Sequence, residues 1–496
     1  MTDESKTETE VVSSKTPDLE HASSSQLSED AKVIYWEGGE QDLERPLNWS
    51  GRKKWANLSM VSLFTFLTPL ASSMVAPGVA SIMNEFQYSN QTVSAFVVSI
   101  YILGYSVGPL FLAPLSEMHG RLPVYHSSNV MYCVWTMACA LSPNVASLLV
   151  FRFLAGVAGS CSLTLSAGSI TDLIVTEKRG GAIAVFALGP MLGPCVGPVM
   201  GGYLSESPGW RWVFWVLTIA SGICTVLAMV VQNETYEPIL LQRHVDKLRK
   251  QRPNEQLQSR LKSVLPEKDY MWLSLVRPLR MLIFSPIVCV FSVYMGIVYG
   301  YLYLLFTSLP GVFQDYFGFG TGEVGLTYLG IGIGLLLGVV VFGAVSDRTV
   351  KRHAKRFNGV MKPESRLSLL VPASILTPAG LLWYGWSAER HLHWIMPIMG
   401  TALVGAGLVA SFMPIQTYLV DSFPQYSASV LAAATLLRSL AGAFLPLAGP
   451  GMYEALGYGW GSTLLALVAL AMTPISWAMY KHGEKVRTHP RFQVQF

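Results

Sequence analysis

Two arginines lie inside long apolar runs, where a charge needs a physical reason. Arg152 sits in LLVFRFLAG, residues 148–156, and Arg438 in YLVDSFPQYSASVLAAATLLRSL, residues 418–440. A guanidinium within hydrocarbon costs a few kcal/mol unless it faces a cavity or a partner. Arg152 is about two helical turns from the end of its run, so it either faces a cavity or partner or snorkels to the headgroups. Arg438 is ~15 Å from either end, too deep to snorkel. It is expected to face a central cavity, either against an anionic or carbonyl-bearing substrate or as a structural hydrogen-bond hub.

No carboxylate stands in the middle of an apolar run. Asp172, Asp347 and Asp421 close runs on one side, while Glu85, Asp315 and Glu323 lie near the other. The buried acid that takes up a proton through a raised pKa is therefore not visible. Tyrosines combine an apolar body with a polar tip, which suits broad binding of amphipathic molecules. Tyr101, Tyr105, Tyr299 and Tyr303 are the path candidates; Tyr294, Tyr301 and Tyr328 share the pattern, with packing or interfacial roles as the alternative. A further string, GPMLGPCVGPVMGG (189–202), places Gly189-Pro190, Gly193-Pro194 and Gly197-Pro198 four residues apart, then Gly201-Gly202. That spacing puts small residues on one helix face, where helices approach closely, and each proline removes a backbone donor and bends the helix.

Composition says which elements must position these residues. Of 496 residues, 51% are hydrophobic and 13% charged, against roughly 25% charged in a soluble domain. A soluble enzyme or nucleic-acid binder is excluded. Charge is also segregated: residues 1–50 hold twelve acids, 51–231 only five, and 232–280 ten Lys/Arg with six acids. A span needs ~20 apolar residues. Six such runs precede the polar stretch, at about 57–82, 92–114, 124–142, 146–171, 181–204 and 212–231. Six follow, at about 281–304, 321–344, 368–387, 394–419, 428–451 and 460–480. The expected organisation is a disordered tail (1–50), a six-helix bundle (51–231), a linker (232–280), a second bundle (281–481) and a short tail (482–496).

Basic residues orient the chain. With the amino terminus inside, Arg52, Lys53, Lys54, Arg121, Lys178, Arg179, the linker and Arg348 through Arg366 are cytosolic, leaving only Arg211 and Arg390 in outer loops. Both termini are thus expected in the cytosol, and Asn90 of Asn90-Gln91-Thr92 is the one sequon in an outer loop, a glycosylation candidate. The six cysteines lie in apolar runs as small core residues, and no metal site is expected. His391 and His393 read as solvated. No Gly-x4-Gly-Lys-Ser/Thr loop is present, so no nucleotide or other cofactor is expected.

The halves repeat. APLSEMHGR (113–121) corresponds to GAVSDRTVK (343–351), with Glu117 and Asp347 both following the second span of a half. Asp172 and Asp421 correspond likewise. Repeated halves with a site between them are a common transporter plan.

Residues 44–485 resemble the major facilitator superfamily, whose usual loop after the second helix is G-x-L-a-D-r-x-G-r. Gly120 and Arg121 match; Glu117 replaces the Asp, Ala113 the first Gly and Met118 the first Arg. The resemblance implies an inner gate at Glu117, Gly120 and Arg121, with Asp347 and Arg348 in the second half. Arg152 matches the Arg of l-x-x-x-R-x-x-q-G, with Gly156 at the Gly and Ala155 replacing Gln; the resemblance associates that Arg with proton coupling, and Asp172 and Arg438 join it as coupling candidates. The string at 189–202 looks like the signature of drug and metabolite antiporters. RPLNWSGRKKW (45–55) and NETYEPILLQRHVDKLRK (233–250) are similar to segments of fungal twelve-span drug:proton antiporters, and the Pro-Glu-Ser-Pro-Arg string of sugar carriers is replaced by Asn233-Glu234-Thr235-Tyr236.

The expectation is an all-α membrane protein of twelve transmembrane helices in two six-helix pseudo-repeat bundles. It is not an enzyme but exports drugs or secondary metabolites by alternating access, in exchange for protons. The alternative is a nutrient or polyamine uptake carrier of the same fold. Expected partners are a small amphipathic substrate, the proton and the lipid bilayer, with no nucleic acid; the protein is expected to be a monomer in the plasma membrane.

Overall fold

The computed structural model describes residues 32–36, 38–175, 179–253, 257–261, 266–356 and 363–488. Nine helical stretches among them are long and apolar enough to cross a membrane. The last, Ser427–Arg487, breaks at Gly457, whose φ of 72° is left-handed, and so makes two passes. Arg121–Ala140 and Arg179–Glu206 are helices of spanning length and supply two more. The described chain is thus twelve spans, six on either side of the linker, as the apolar runs predict. Helices dominate because a backbone in hydrocarbon must satisfy its own polar groups.

The first half comprises Gly51–Ser73 (continued to Glu85), Gln91–His119, Arg121–Ala140, Val145–Leu173, Arg179–Glu206 and Arg211–Val231. The second comprises Pro286–Gly311, Thr321–Thr327 with Leu329–Arg356, Pro363–Glu389, Ile395–Ser422, Ser427–Phe444 with its extension to Gly457, and 458–488. Side chains fix where spans begin. Ser50 Oγ accepts from Lys53 N, Asn90 Oδ1 from Thr92 N and Val93 N, and Asn144 forms a capping box with Ser147. Such caps satisfy amide groups that the helix itself leaves unpaired.

Two boundaries differ from expectation. Residues 32–50, assigned to a disordered tail, are folded against the linker. Lys32–Ile34 (β1) pairs in parallel with Leu257–Ser259 (β2), and Trp36 is buried with its Nε1 donating to Glu237 Oε1 at 3.0 Å. Arg45 pairs with the same carboxylate at 2.9 Å. The segment KVIYW offers β-branched and aromatic surface that the Ser/Thr/Glu-rich residues before it lack, and the linker supplies the strand and helix to bury it. Residues 1–31 lie outside the described residues.

The seventh span begins at Pro286, not near 281. Residues 281–284 instead end a linker helix, Glu267–Phe284, and Ser285 is extended (φ −104°, ψ 105°). Proline disfavours helix in the residue before it and starts a helix well, so Ser285-Pro286 divides one apolar run into two elements.

The halves meet on the side away from the linker. Ser72 in the first span faces Tyr303 in the seventh, hydroxyl to hydroxyl at 3.0 Å, and Ser99 in the second donates to the Ala443 carbonyl in the eleventh at 2.7 Å. The fifth and eighth spans pack backbone to backbone, where a Cβ on Gly325 would lie 2.5 Å from the Pro198 carbonyl oxygen.

Candidate functional site

A cavity of 270 Å³ lies between the two halves. The first half walls it with Pro69, Ser72, Tyr105 and, from the fifth span, Pro190, Met191 and Pro194. The second half contributes Tyr299 and Tyr303 from the seventh span, Phe412, Met413 and Gln416 from the tenth, and Arg438 from the eleventh. Among the described residues that line it, none is acidic. An apolar, aromatic chamber with few polar groups is the usual form of a small-molecule site.

Arg438 is the cation of this chamber. Its guanidinium stands 4.9 Å from the Tyr299 ring centroid and 5.9 Å from that of Phe412. Its Nε is buried without a hydrogen-bond partner, and no ion pair to Arg438 occurs among the described residues. The hub alternative therefore lacks its hydrogen bonds, and aromatic faces are what stabilises the charge.

Arg152 does not snorkel. It is 2% exposed, and its Nη2 reaches the carbonyls of Ser72 and Val98 at 3.4 and 3.3 Å. The ring centroids of Tyr101 and Phe214 lie 5.5 and 5.8 Å from its guanidinium. Carbonyl dipoles and π faces take the place of a counter-ion. Asp172 is not its partner: the two share a helix but stand twenty residues apart, ~30 Å along the axis.

Asp172 belongs to the linker-side cluster. Arg121, which is buried, donates from Nε to Asp172 Oδ2 at 3.3 Å and from Nη1 to Ser116 Oγ at 2.9 Å. Glu117 accepts a short hydrogen bond from Tyr270 of the linker helix. Burial first, and then Glu117, pushes the Tyr270 phenol above the usual tyrosine range, so it remains a donor. Tyr236, 5.0 Å from the Arg121 guanidinium, is pushed up to about 12, chiefly by burial. Glu234 completes the cluster. Its carboxylate accepts from the amides of Arg121 (2.9 Å), Leu122 (3.2 Å), Thr235 (3.0 Å) and Tyr236 (3.0 Å). Gly120 makes this possible: its φ is 101°, and a Cβ there would collide with the Glu234 carboxylate. The side chains of Asp347 and Arg348 lie outside the described residues.

The glycine face of the fifth span packs on the first. A Cβ on Gly193 would lie 2.8 Å from Leu70 N, and one on Gly197 2.5 Å from Ser73 Oγ and 2.7 Å from the Leu70 carbonyl oxygen. Gly189 and Gly201 face the same helix, at Phe66 and Met74, while Gly202 turns to Thr321 of the eighth span. The string therefore serves two surfaces. Its glycines admit the first span, and two of its prolines wall the cavity.

Of the path candidates, Tyr105, Tyr299, Tyr303 and Arg438 line the cavity together, but Tyr101 does not. Its hydroxyl donates to the Thr68 carbonyl at 3.0 Å, behind the wall. Tyr294, Tyr301 and Tyr328 are likewise committed to Ser411, Leu465 and Phe306. Sequence reasoning missed Gln416, Glu234 and Tyr270. Gln416 carried a signal, as an amide within an apolar run; the other two sit among many linker polar groups and had none. Asn90 is exposed at the start of the second span, its carboxamide oxygen occupied by the cap. Both loop histidines are exposed, His391 tilted against Tyr316 and His393 against Trp394, ring centroids 4.7 and 5.2 Å apart.

Comparison with known proteins agrees with this geometry. The family model described as Major Facilitator Superfamily matches residues 61–446. The MFS-type transporter penM of Penicillium rubens is 50% identical over 479 residues, 97% of this chain and 94% of its own. Efflux pump radE of Floropilus chiversii is 45% identical over 467 residues, 94% of this chain and 87% of its own. Among solved structures, the partially occluded inward-open xylose transporter XylE of E. coli superposes with a TM-score of 0.65 at 15% identity, covering 87% of this chain and 98% of that one.

Proposed function

The chain belongs to the major facilitator superfamily, a multi-pass membrane transporter, and from that premise we propose that it exports apolar small molecules of the drug or secondary-metabolite kind in exchange for protons. One observation carries the reading: the glycine–proline string of the fifth span, whose resemblance is to antiporters, forms a wall of the central cavity through Pro190 and Pro194. The relative named an efflux pump, 45% identical over nearly the whole chain, supports the same direction.

In this reading the linker side is cytosolic, both termini with it, and the plasma membrane holds the protein as a monomer. Substrate enters the cavity from the linker side, and rocking of the halves about it opens the far side. The Ser72–Tyr303 and Ser99–Ala443 contacts are what must part. The Arg121–Asp172 pair and the Glu117–Tyr270 bond order the linker-side ends of the spans as the inner gate. Arg152 couples the proton by shifting the protonation balance of groups that approach it in the other conformation. Uptake of a polyamine is disfavoured, because the described residues of the cavity present a cation and no carboxylate to a polycation.

The test is efflux of a compound panel from cells with and without the protein, under an intact and a collapsed proton gradient. Gradient-dependent loss of cell-associated compound is expected. Accumulation instead of loss would replace this reading with an uptake carrier.

A further inference from the structure

The unpaired charge that the described residues bring to the cavity is a cation. Arg438 lines it without a hydrogen bond or counter-ion among the described residues, its Nε buried and unpartnered. Tyr105 contributes its ring, 6% exposed, while its hydroxyl is enclosed on the side of Thr68 and Tyr101. Of the other hydroxyls of the wall, Ser72 and Tyr303 are bonded to each other across the halves. Around this cation the lining is apolar, with Met191, Phe412 and Met413 among it, and among the described residues no acid contributes.

A cation in such surroundings is poorly solvated, and aromatic faces compensate only part of the loss. An anionic group brought into the chamber restores it through charge-assisted hydrogen bonds, to which a guanidinium offers a fixed fork of donors. A second cation raises the field of the first in a low-dielectric space and is repelled. The chamber therefore discriminates by charge as well as by apolar surface.

Resting on the export reading above, we propose that the transported substrate is an apolar molecule bearing one carboxylate or similarly acidic group, which lies against Arg438, and that cationic amphiphiles are excluded. Neutral molecules of the same skeleton bind on apolar contact alone and more weakly.

The test uses one fluorescent aromatic scaffold in three forms: a carboxylate, its methyl ester and a trimethylammonium. Binding to the purified full-length protein is measured beside efflux from cells. The carboxylate is expected to bind about tenfold or more tighter than the ammonium, with the ester between. Arg438→Gln is expected to bring the three within about threefold of one another, and Arg438→Lys to keep the order. Thermal unfolding of each variant separates loss of charge from loss of fold. Equal binding of the three forms by the native protein, no binding of any, or an unchanged preference in Arg438→Gln would overturn the proposal. Export without charge preference would sink it while leaving the export reading intact. Binding with the stated preference but no export would do the reverse.

Discussion

The hydroxyls of Ser72 and Tyr303 stand 3.0 Å apart and join one half of the protein to the other. The same Ser72 accepts, through its carbonyl, from Arg152 at 3.4 Å, and both Ser72 and Tyr303 face the cavity. One residue of the first span thus touches the buried arginine, the seal between the halves and the substrate chamber. A conformational change that parts the seal must disturb the surroundings of Arg152. Removing one hydroxyl tests the seal. Tyr303→Phe loses a bond worth ~1 kcal/mol that exists only while the far side is closed, shifting the equilibrium about fivefold toward the far-side-open state. A cysteine at Ile102, which lines the cavity from the second span, in a background without the six native cysteines, should then react several times faster with an impermeant maleimide added outside. Unchanged labelling would show that the bond does not hold the seal.

Arg152→Ala is expected to lose gradient-driven accumulation while keeping downhill exchange of substrate. The arginine is not among the residues that line the cavity, so direct contact with substrate is expected to survive the change. Reconstituted protein with an imposed pH gradient separates the two activities. If the native protein ignores the gradient, antiport fails and facilitated diffusion becomes the better description.

Gly197→Leu should abolish transport yet leave insertion intact. Even a Cβ at this position lies within 2.5 Å of Ser73 Oγ and 2.7 Å of the Leu70 carbonyl oxygen, and backbone cannot yield as a side chain can. Surface expression beside efflux is the measurement. Normal efflux would mean that the two helices separate there at little cost.

Glu234 holds four amides at the start of the third span and of the linker. Glu234→Ala leaves them to compete for water in a buried place and should destabilise the protein by about 2 kcal/mol or more. A lowered unfolding temperature in detergent, partly restored in Glu234→Gln, is the expected result. By contrast, Tyr270→Phe removes only the bond to Glu117 and should leave the unfolding temperature near the native value while speeding labelling from the linker side.

Orientation has its own test. Tags at either terminus should be protected in sealed cells, and Asn90 should be the only sequon to carry glycan. Glycan on Asn233, which lies on the linker side, would invert the topology.

The sequence by itself determined the twelve spans, their division into two sixes and the identity of the two intramembrane cations. Those features rest on local quantities: the length of an apolar run, the charge within it, and the spacing of glycines along one helix face. The sequence misplaced the start of the seventh span, because hydropathy does not register that Ser285-Pro286 divides one apolar run. It also left 32–50 unstructured, because the strand and helix that receive Lys32–Ile34 and Trp36 lie about two hundred residues later. Tertiary structure alone decided that Tyr105, Tyr299 and Arg438 share a chamber while Tyr101 stands behind its wall. It also decided that Arg152 is held by carbonyls and rings, and that Asp172 serves Arg121. Each of these is a question of which face of one helix meets which face of another. A helix repeats every 3.6 residues, so neighbouring residues such as these tyrosines point in different directions. Only the packing of the other spans settles which direction is the cavity.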